Sequence, residues 1–257
     1  MPIDPSAQVH PEADVADDVD IGPFSVIGPH VKIGAGTRVG PHVVISGHTT
    51  IGRDNQIFQF VSLGAEPQHR VYAGEPTRLT IGDRNTFREY CSVHRGTVID
   101  QSETIIGDDN LLMAYTHVAH DCVLGNGITM ANGASLAGHV RIGDFCILAG
   151  FALVYQFRRV GTMAFLAYCS GVQQDVPAFV RSAGAPAVPH GVNSVGMRRR
   201  GYTEEEVTAA KRAYRTIYRS KLRLEQAREA LREPAQSSEA VRLMLESLEQ
   251  AERGIIR

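Results

Sequence analysis

Three histidines and one aspartate define the chemistry open to this chain: His117, His120 and Asp121 in the string His117-Val-Ala-His-Asp-Cys122, and His139 in Leu136-Ala-Gly-His139. An imidazole changes charge near neutral pH, so His120 suits a general base, with Asp121 holding its tautomer and stabilising the imidazolium. His117, His120 and His139 equally supply three imidazoles for Zn2+, with water in the fourth position, as in catalytic zinc sites. Spacing leaves both chemistries open, because an HxxH pair on extended chain is not a helix-borne i, i+4 pair. Other histidines, such as His30, His42 and His48, read as exposed corner residues.

The element that must position these groups is written as a six-residue beat. Val, Ile or Leu recurs at every sixth position from Ile3 to Leu63, returns at Ile81, Phe87 and Val93, and runs again from Ile106 to Val172. Four residues after each aliphatic stands a small or β-branched side chain, among them Val19, Ser25, Thr37, Thr116, Cys122, Ala134 and Ala152. Neither the spacing of an amphipathic helix nor the alternation of a hairpin array accommodates that register, and internal repeats outrank local propensity. It predicts a parallel β-helix of roughly eighteen residues per coil, with coils stacked about 4.8 Å apart. Val118 is then inward, so His117 and His120 are expected to face outward or sit at a corner. One coil beyond His120 is Gly138, so His120, His139 and the Gly138 N–H are expected to share one neighbourhood.

After Leu63 the beat fails through Gly64–Thr80, where an outward excursion carrying Gln68, His69, Arg70 and Tyr72 is expected, either a surface loop or a flap over a groove between subunits. A slip of one residue is expected between Ile99 and Ile106. The repeat is assigned to residues 1–190, with the loop at about 64–80, and a carboxyl-terminal α-helical domain to 191–257. Its helices are expected from Thr203, through a Thr203–Glu206 capping box, to about Tyr218, from Leu222 to Leu231, and from about Ser237 to Arg253, with a break at Pro234. Val241, Leu245 and Leu248 read as packing surface.

The formal net charge is −2 over 257 residues, and Arg198-Arg199-Arg200 is the lone basic block, which argues against nucleic-acid binding but suits a phosphate. The four cysteines form no CxxC pair and fit a reducing compartment. MPIDPSAQVH lacks the features of a secretory signal and no apolar run reaches membrane-spanning length, so a cytoplasmic protein without stable membrane insertion is expected.

Several strings resemble one family. His94-Arg-Gly-Thr97, Asp109-Asn-Leu-Leu-Met113, His117-Val-Ala-His-Asp-Cys122, Leu136-Ala-Gly-His139, Cys169-Ser-Gly171, Gln174-Asp-Val-Pro177, Tyr72-Ala-Gly-Glu-Pro-Thr-Arg78 and Arg198-Arg-Arg-Gly201 are similar to those of the UDP-N-acetylglucosamine O-acyltransferases of lipid A synthesis. The resemblance implies a left-handed parallel β-helix of hexapeptide repeats, assembled as a homotrimer with sites between subunits. It implies transfer of an R-3-hydroxyacyl group from acyl carrier protein to the glucosamine 3-hydroxyl, with no metal or organic cofactor. His120 is then the base, Asp121 its orienting partner and the Gly138 amide an oxyanion donor. Gln68, His69, Arg70, His117, His139, Tyr155 and Gln156 are expected around the sugar and acyl groups, and Asn193, Arg199 and Arg200 on the uridine diphosphate. Arg181, Lys211, Arg212, Arg215 and Arg219 are candidates for docking the acidic carrier.

The chain departs from the family pattern at named positions. Gln68-His69-Arg70-Val71 stands where relatives carry Asp and Lys, Tyr155 where His is usual, and Val195 where Glu is common. Tyr168 replaces a Gly found in relatives that accept long acyl chains, and its ring is expected to shorten the preferred chain. Val71, Tyr155 and Val195 suggest one alternative, a paralogue acylating a 3-amino sugar nucleotide or using another donor, and His117, His120 and His139 a second, a metal-dependent hydrolase or hydratase. A non-catalytic trimeric scaffold is a further reading of the same coil.

Overall fold

The computed structural model describes residues 3–257; Met1 and Pro2, the first residues of the amino-terminal stretch and of the 1–190 unit considered above, lie outside the described residues. Strands of mostly two residues visit three faces in turn, giving sheets of nine, eight and ten strands. The first face begins at Gln8–Val9, the second at Asp14–Val15 and the third at Asp20–Ile21. Pairing is parallel in steps of eighteen, as for Ile27 with Ile45, Ile33 with Ile51 and Val39 with Ile57. The result is the parallel β-helix that the beat predicts.

From Ile21 to Val172 every periodic apolar residue is at most 4% exposed, whereas Ile3, at the open end, is 45% exposed. Each such burial stabilises by about 1.5–3 kcal/mol relative to exposure. Two buried hydroxyls of the second inward register bond to the neighbouring coil: that of Ser25 donates to the Gly40 carbonyl at 2.8 Å, and that of Thr37 to the Gly52 carbonyl at 3.0 Å. A column of asparagines ties successive coils together, with the Asn85 N–H donating to Asn55 Oδ1 and the Asn110 N–H to Asn85 Oδ1, both at 2.9 Å. Cys91, Cys122 and Cys146 are buried fillers, and Cys169 is exposed.

Two excursions interrupt the rod. Leu63 pairs with Val93, thirty positions on, because the chain leaves after Ser62–Ala65 and returns at Arg78–Ile81. Ile81 then pairs with Ile106, twenty-five positions on, with the chain leaving after Ser92–His94 and returning at Glu103–Ile106. The second break is therefore a seven-residue excursion rather than a slip of one residue, and Ile99, 57% exposed, belongs to no inward register. Both excursions leave from the corner between the first and second faces. On the next coil that corner carries His120.

The last coil closes with Val180–Ala183 paired antiparallel to Val188–Val192. Four helices follow: α1 (Ser194–Arg199), α2 (Glu204–Arg219), α3 (Leu224–Ala235) and α4 (Glu239–Glu249). The sequence does not anticipate the hairpin or α1, and Pro234 stands inside the last turn of α3 instead of breaking it earlier. The α2 cap differs in one respect from the expected box. Thr203 accepts the Glu206 N–H, but the Glu206 carboxylate turns away to accept the Ser238 hydroxyl and the Ala240 N–H, capping α4 instead. Val241, Leu245 and Leu248 are buried in the core that joins the helices to the rod.

Candidate active site

His117 lies in the two-residue strand His117–Val118, where alternation turns Val118 inward and the imidazole out. Its Nδ1 is 2.8 Å from the Ser92 hydroxyl one coil earlier, and the ring meets His94 edge-on with centroids 4.9 Å apart. Burial, and then the neighbouring His120, pushes its pKa below the ordinary imidazole value. His94 is buried more completely. Burial first, followed by His117, His120 and Arg95, takes it down to about 4.

At the next corner His120 and Asp121 turn back against the excursions. His120 Nδ1 lies 2.9 Å from Asp121 Oδ2, and the Asp121 side chain is wholly inaccessible to solvent. Thr97, on the second excursion, donates its N–H to both carboxylate oxygens at 3.0 Å and its hydroxyl to Oδ2 at 2.6 Å. Burial alone would raise the Asp121 pKa, but the hydrogen bonds from His120 and Thr97 outweigh it and hold the carboxyl below its usual range. An ionised carboxylate accepts only, so the proton of neutral His120 resides on Nδ1 and Nε2 is left as the base.

Gly138 is fixed by close approach. A Cβ built there would come within 2.6 Å of His120 Cε1 and 2.8 Å of Nε2, so only glycine lets the coil above lie against the ring. The coils are clamped here by the His139 N–H donating to the His120 carbonyl at 3.0 Å. The Gly138 N–H has no acceptor among the described residues. It is available to a ligand beside His120.

A cavity of about 630 Å3 opens on this corner and the first face, lined by Gln68, His69, His117, His120, Gly138, Tyr155 and Gln156. His69 reaches it from the first excursion, edge-on to His120 at 5.2 Å between centroids, with its Nδ1 buried and unpartnered. Arg95 holds that excursion in place, donating to the Gly64 carbonyl at 2.9 Å and to the Tyr72 hydroxyl at 2.7 Å.

Other expected residues fall elsewhere. Arg70 is exposed on the loop surface. His139 turns behind His120, stacked on Phe157 at 4.3 Å and 3.1 Å from Asp100 Oδ2 through Nδ1, and lines a different cavity. Tyr168, 78% exposed, stands at the corner between the third and first faces, outside the cavity. Asn193, Arg199 and Arg200 line a second cavity of about 540 Å3 on the third face. There Arg200 lies over the Phe145 ring at 4.0 Å, while Asn193 caps α1 through the Gly196 N–H and donates to the Met163 carbonyl at 3.0 Å. Within one chain His120 and the Arg199–Arg200 pair are on different faces.

Sequence reasoning left Thr97, Asp100, Arg95 and Ser92 without roles. Thr97 and Arg95 belong to a string quoted above, but a one-residue slip gave no reason to fold that string back over Asp121. The ligand-capable atoms lying together are those of His120, Asp121 and His139, within 4.8 Å of one another, whereas His117 is engaged by Ser92. The three-histidine metal set is therefore not the trio the fold assembles among the described residues.

Comparison with known proteins gives a consistent result. Residues 175–256 match the family described as "Udp N-acetylglucosamine O-acyltransferase; Domain 2", and residues 15–47 and 103–138 match "Bacterial transferase hexapeptide (six repeats)". The chain is 55% identical over 256 residues to the acyl-(acyl-carrier-protein)-UDP-N-acetylglucosamine O-acyltransferase of Herminiimonas arsenicoxydans, covering 98% of both chains. It is 55% identical to the enzyme of the same name from Halorhodospira halophila, covering 99% of both. Its fold superposes on the crystal structure of LpxA from Acinetobacter baumannii with a TM-score of 0.96 at 44% identity, over 99% of each chain.

Proposed function

The chain belongs to the acyl-(acyl-carrier-protein)-UDP-N-acetylglucosamine O-acyltransferases, and from that premise we propose how its residues carry the reaction. It is an acyltransferase that uses acyl carrier protein as donor and UDP-N-acetylglucosamine as acceptor, in lipid A biosynthesis. Our reading places the acceptor's glucosamine 3-hydroxyl at His120 Nε2 and an R-3-hydroxyacyl thioester beside the Gly138 N–H, as the first step of that route.

In this scheme Nε2 takes the hydroxyl proton as the sugar oxygen attacks the thioester carbonyl. The imidazolium formed is stabilised by Asp121, which Thr97 fixes in place. The tetrahedral oxyanion accepts the Gly138 N–H, a single donor of a kind worth roughly 2.7–4 kcal/mol when preorganised. Collapse expels the thiolate of the carrier, which recovers the proton from His120. The thioester supplies its own activation, so the scheme calls for no cofactor.

The observation that carries this reading is the chain of contacts Thr97 to Asp121 to His120, ending against Gly138. Both Asp121 oxygens are occupied by N–H and O–H donors, an arrangement that orients an imidazole rather than offering a metal ligand. Placement of Asn193, Arg199 and Arg200 on another face than His120 supports a homotrimer, in which the third face of one copy meets the first face of the next and supplies the diphosphate site. Among the described residues no helix is long and apolar enough to cross a membrane, in keeping with a proposed cytoplasmic location.

The test is turnover of purified protein with UDP-N-acetylglucosamine and 3-hydroxyacyl carrier proteins, beside His120→Ala and a chelator control. We expect His120→Ala to lose about 10²–10⁴-fold in kcat. Retained turnover in that variant refutes the base, and loss of activity on chelation favours the metal reading.

A further inference from the structure

A recess on the far side of His139 has no part in the scheme above. Arg141, Arg158, Arg159 and Arg253 line a cavity of about 280 Å3, with Asp100, Asp175 and Glu252 as its acidic groups and His139 and Phe157 in the wall toward His120. Four guanidinium groups thus face three carboxylates. Two of the cations are weakly paired: Arg253 lies over the Phe157 ring at 5.4 Å, and Arg141 is 4.0 Å from Asp100.

Arg158 is the informative residue. It is 5% exposed, and the one hydrogen bond of its side chain among the described residues runs from Nε to the Gln156 carbonyl at 3.1 Å. Among the described residues no carboxylate oxygen lies within 4.0 Å of its guanidinium, and neither terminal nitrogen has an acceptor. A guanidinium carries five donors and a permanent charge, and buried charges are ordinarily paired. Asp175, the buried carboxylate of the same cavity, feels the charges of Arg158 and Arg159 without touching either guanidinium, and its Oδ1 accepts the Arg159 backbone N–H at 3.0 Å. A planar fork whose stem is buried and whose terminal nitrogens open into a small basic cavity matches a phosphate oxygen pair.

We propose that this cavity is a binding site for a phosphate-class anion, with Arg158 as the bidentate donor at its base and Arg141 and Arg159 flanking it. The site is separate from the Arg199 and Arg200 cavity on the third face, and it does not depend on the assignment of His120. Two sources share the chemistry: free inorganic phosphate or pyrophosphate, and the phosphate of the carrier's phosphopantetheine arm.

Isothermal titration of the full-length protein with inorganic phosphate, and separately with phosphopantetheine, at ionic strength matched with chloride, tests the site and separates its sources. We expect at least one of the two to bind, and Arg158→Met to weaken it by about 10- to 100-fold, the weight of a charge-assisted hydrogen bond. Arg141→Gln, on a side chain 36% exposed and therefore tolerant of replacement, should weaken binding in the same direction. Arg199→Gln should leave it intact. No binding beyond chloride, unchanged affinity in both Arg158→Met and Arg141→Gln, or loss confined to Arg199→Gln would each overturn the proposal.

Discussion

His120 Nδ1 lies 2.9 Å from Asp121 Oδ2, and the same oxygen accepts the Thr97 hydroxyl at 2.6 Å, so the loop carrying Thr97 sets which ring nitrogen faces the cavity. Asp121→Asn retains the shape but removes the charge that stabilises an imidazolium. We expect kcat to fall by about 10²–10⁴-fold with little change in KM for either substrate. Steady-state kinetics decide it, and an unaltered kcat would remove Asp121 from the mechanism.

Thr97→Val tests the support beneath that pair. The buried carboxylate loses its hydroxyl donor while keeping the backbone N–H, and an unmade bond to a buried charge costs about 1–3 kcal/mol. Chemical denaturation should register a loss of that order, accompanied by a smaller drop in kcat than in Asp121→Asn. Wild-type stability in Thr97→Val would show the hydroxyl to be dispensable.

Stability should also depend on pH through His94. Its folded pKa, about 4, lies below its ordinary 6.5 because burial disfavours the imidazolium. The unfolded chain therefore takes up a proton that the folded one refuses, and stability is greatest above pH 6.5 and declines as pH falls toward 4. Asp121, whose carboxyl is held low, contributes stability above its ordinary value and loses it only at still lower pH. Denaturation at stepped pH on wild type and His94→Gln should show the decline flattened in the variant. Parallel curves would assign the slope to other groups.

Tyr168→Gly should shift acyl preference toward longer chains. The ring is 78% exposed in one chain and outside the His120 cavity, so an effect on the acyl group requires the neighbouring copy of the proposed trimer. Competition among carriers of graded acyl length measures the shift. A wild type that already favours long chains, or a variant with unchanged preference, ends the idea.

The separation of His120 from Arg199 makes a fourth kind of test possible. If each site takes its base from one subunit and its arginines from the next, His120→Ala and Arg199→Ala are each defective alone. Unfolded together and reassembled as trimers in equal amounts, they should regain about a quarter of wild-type sites, one in every mixed trimer. Absence of any recovery in verified mixed trimers would put both residues in one subunit's site.

What the sequence made legible follows from where periodicity operates. Burial repeats at a fixed interval from Ile21 to Val172, so the three faces, the inward cysteines and the stacking of Gly138 on His120 could all be read from residue type. The excursions were harder. The first adds two hexads, so the beat resumes in phase and only the missing aliphatics betray it; the second adds a hexad plus one residue, with Ile99 imitating an inward position. For that reason Thr97 and Asp100 could not be brought to Asp121 and His139. Nor does any local pattern relate Asn193 and Arg200 to His120, because the two groups lie on different faces of the rod, and the proposed relation between them runs through a second copy. Glu206 illustrates the same limit within the helices, where a capping-box residue chose the terminus of another helix.

The eighteen-residue step gives the molecule an address system in which length and chemistry are independent. Coils between Gln8 and Ile57 extend the rod below the level of His120, and a whole coil of eighteen residues added or removed there would change its height by about 4.8 Å without altering any contact of His120. A coil inserted between Cys122 and Ala137 would instead lift Gly138 one storey away from His120. A molecule of this kind can vary in stature while the storeys from the first excursion to Gln156 stay fixed.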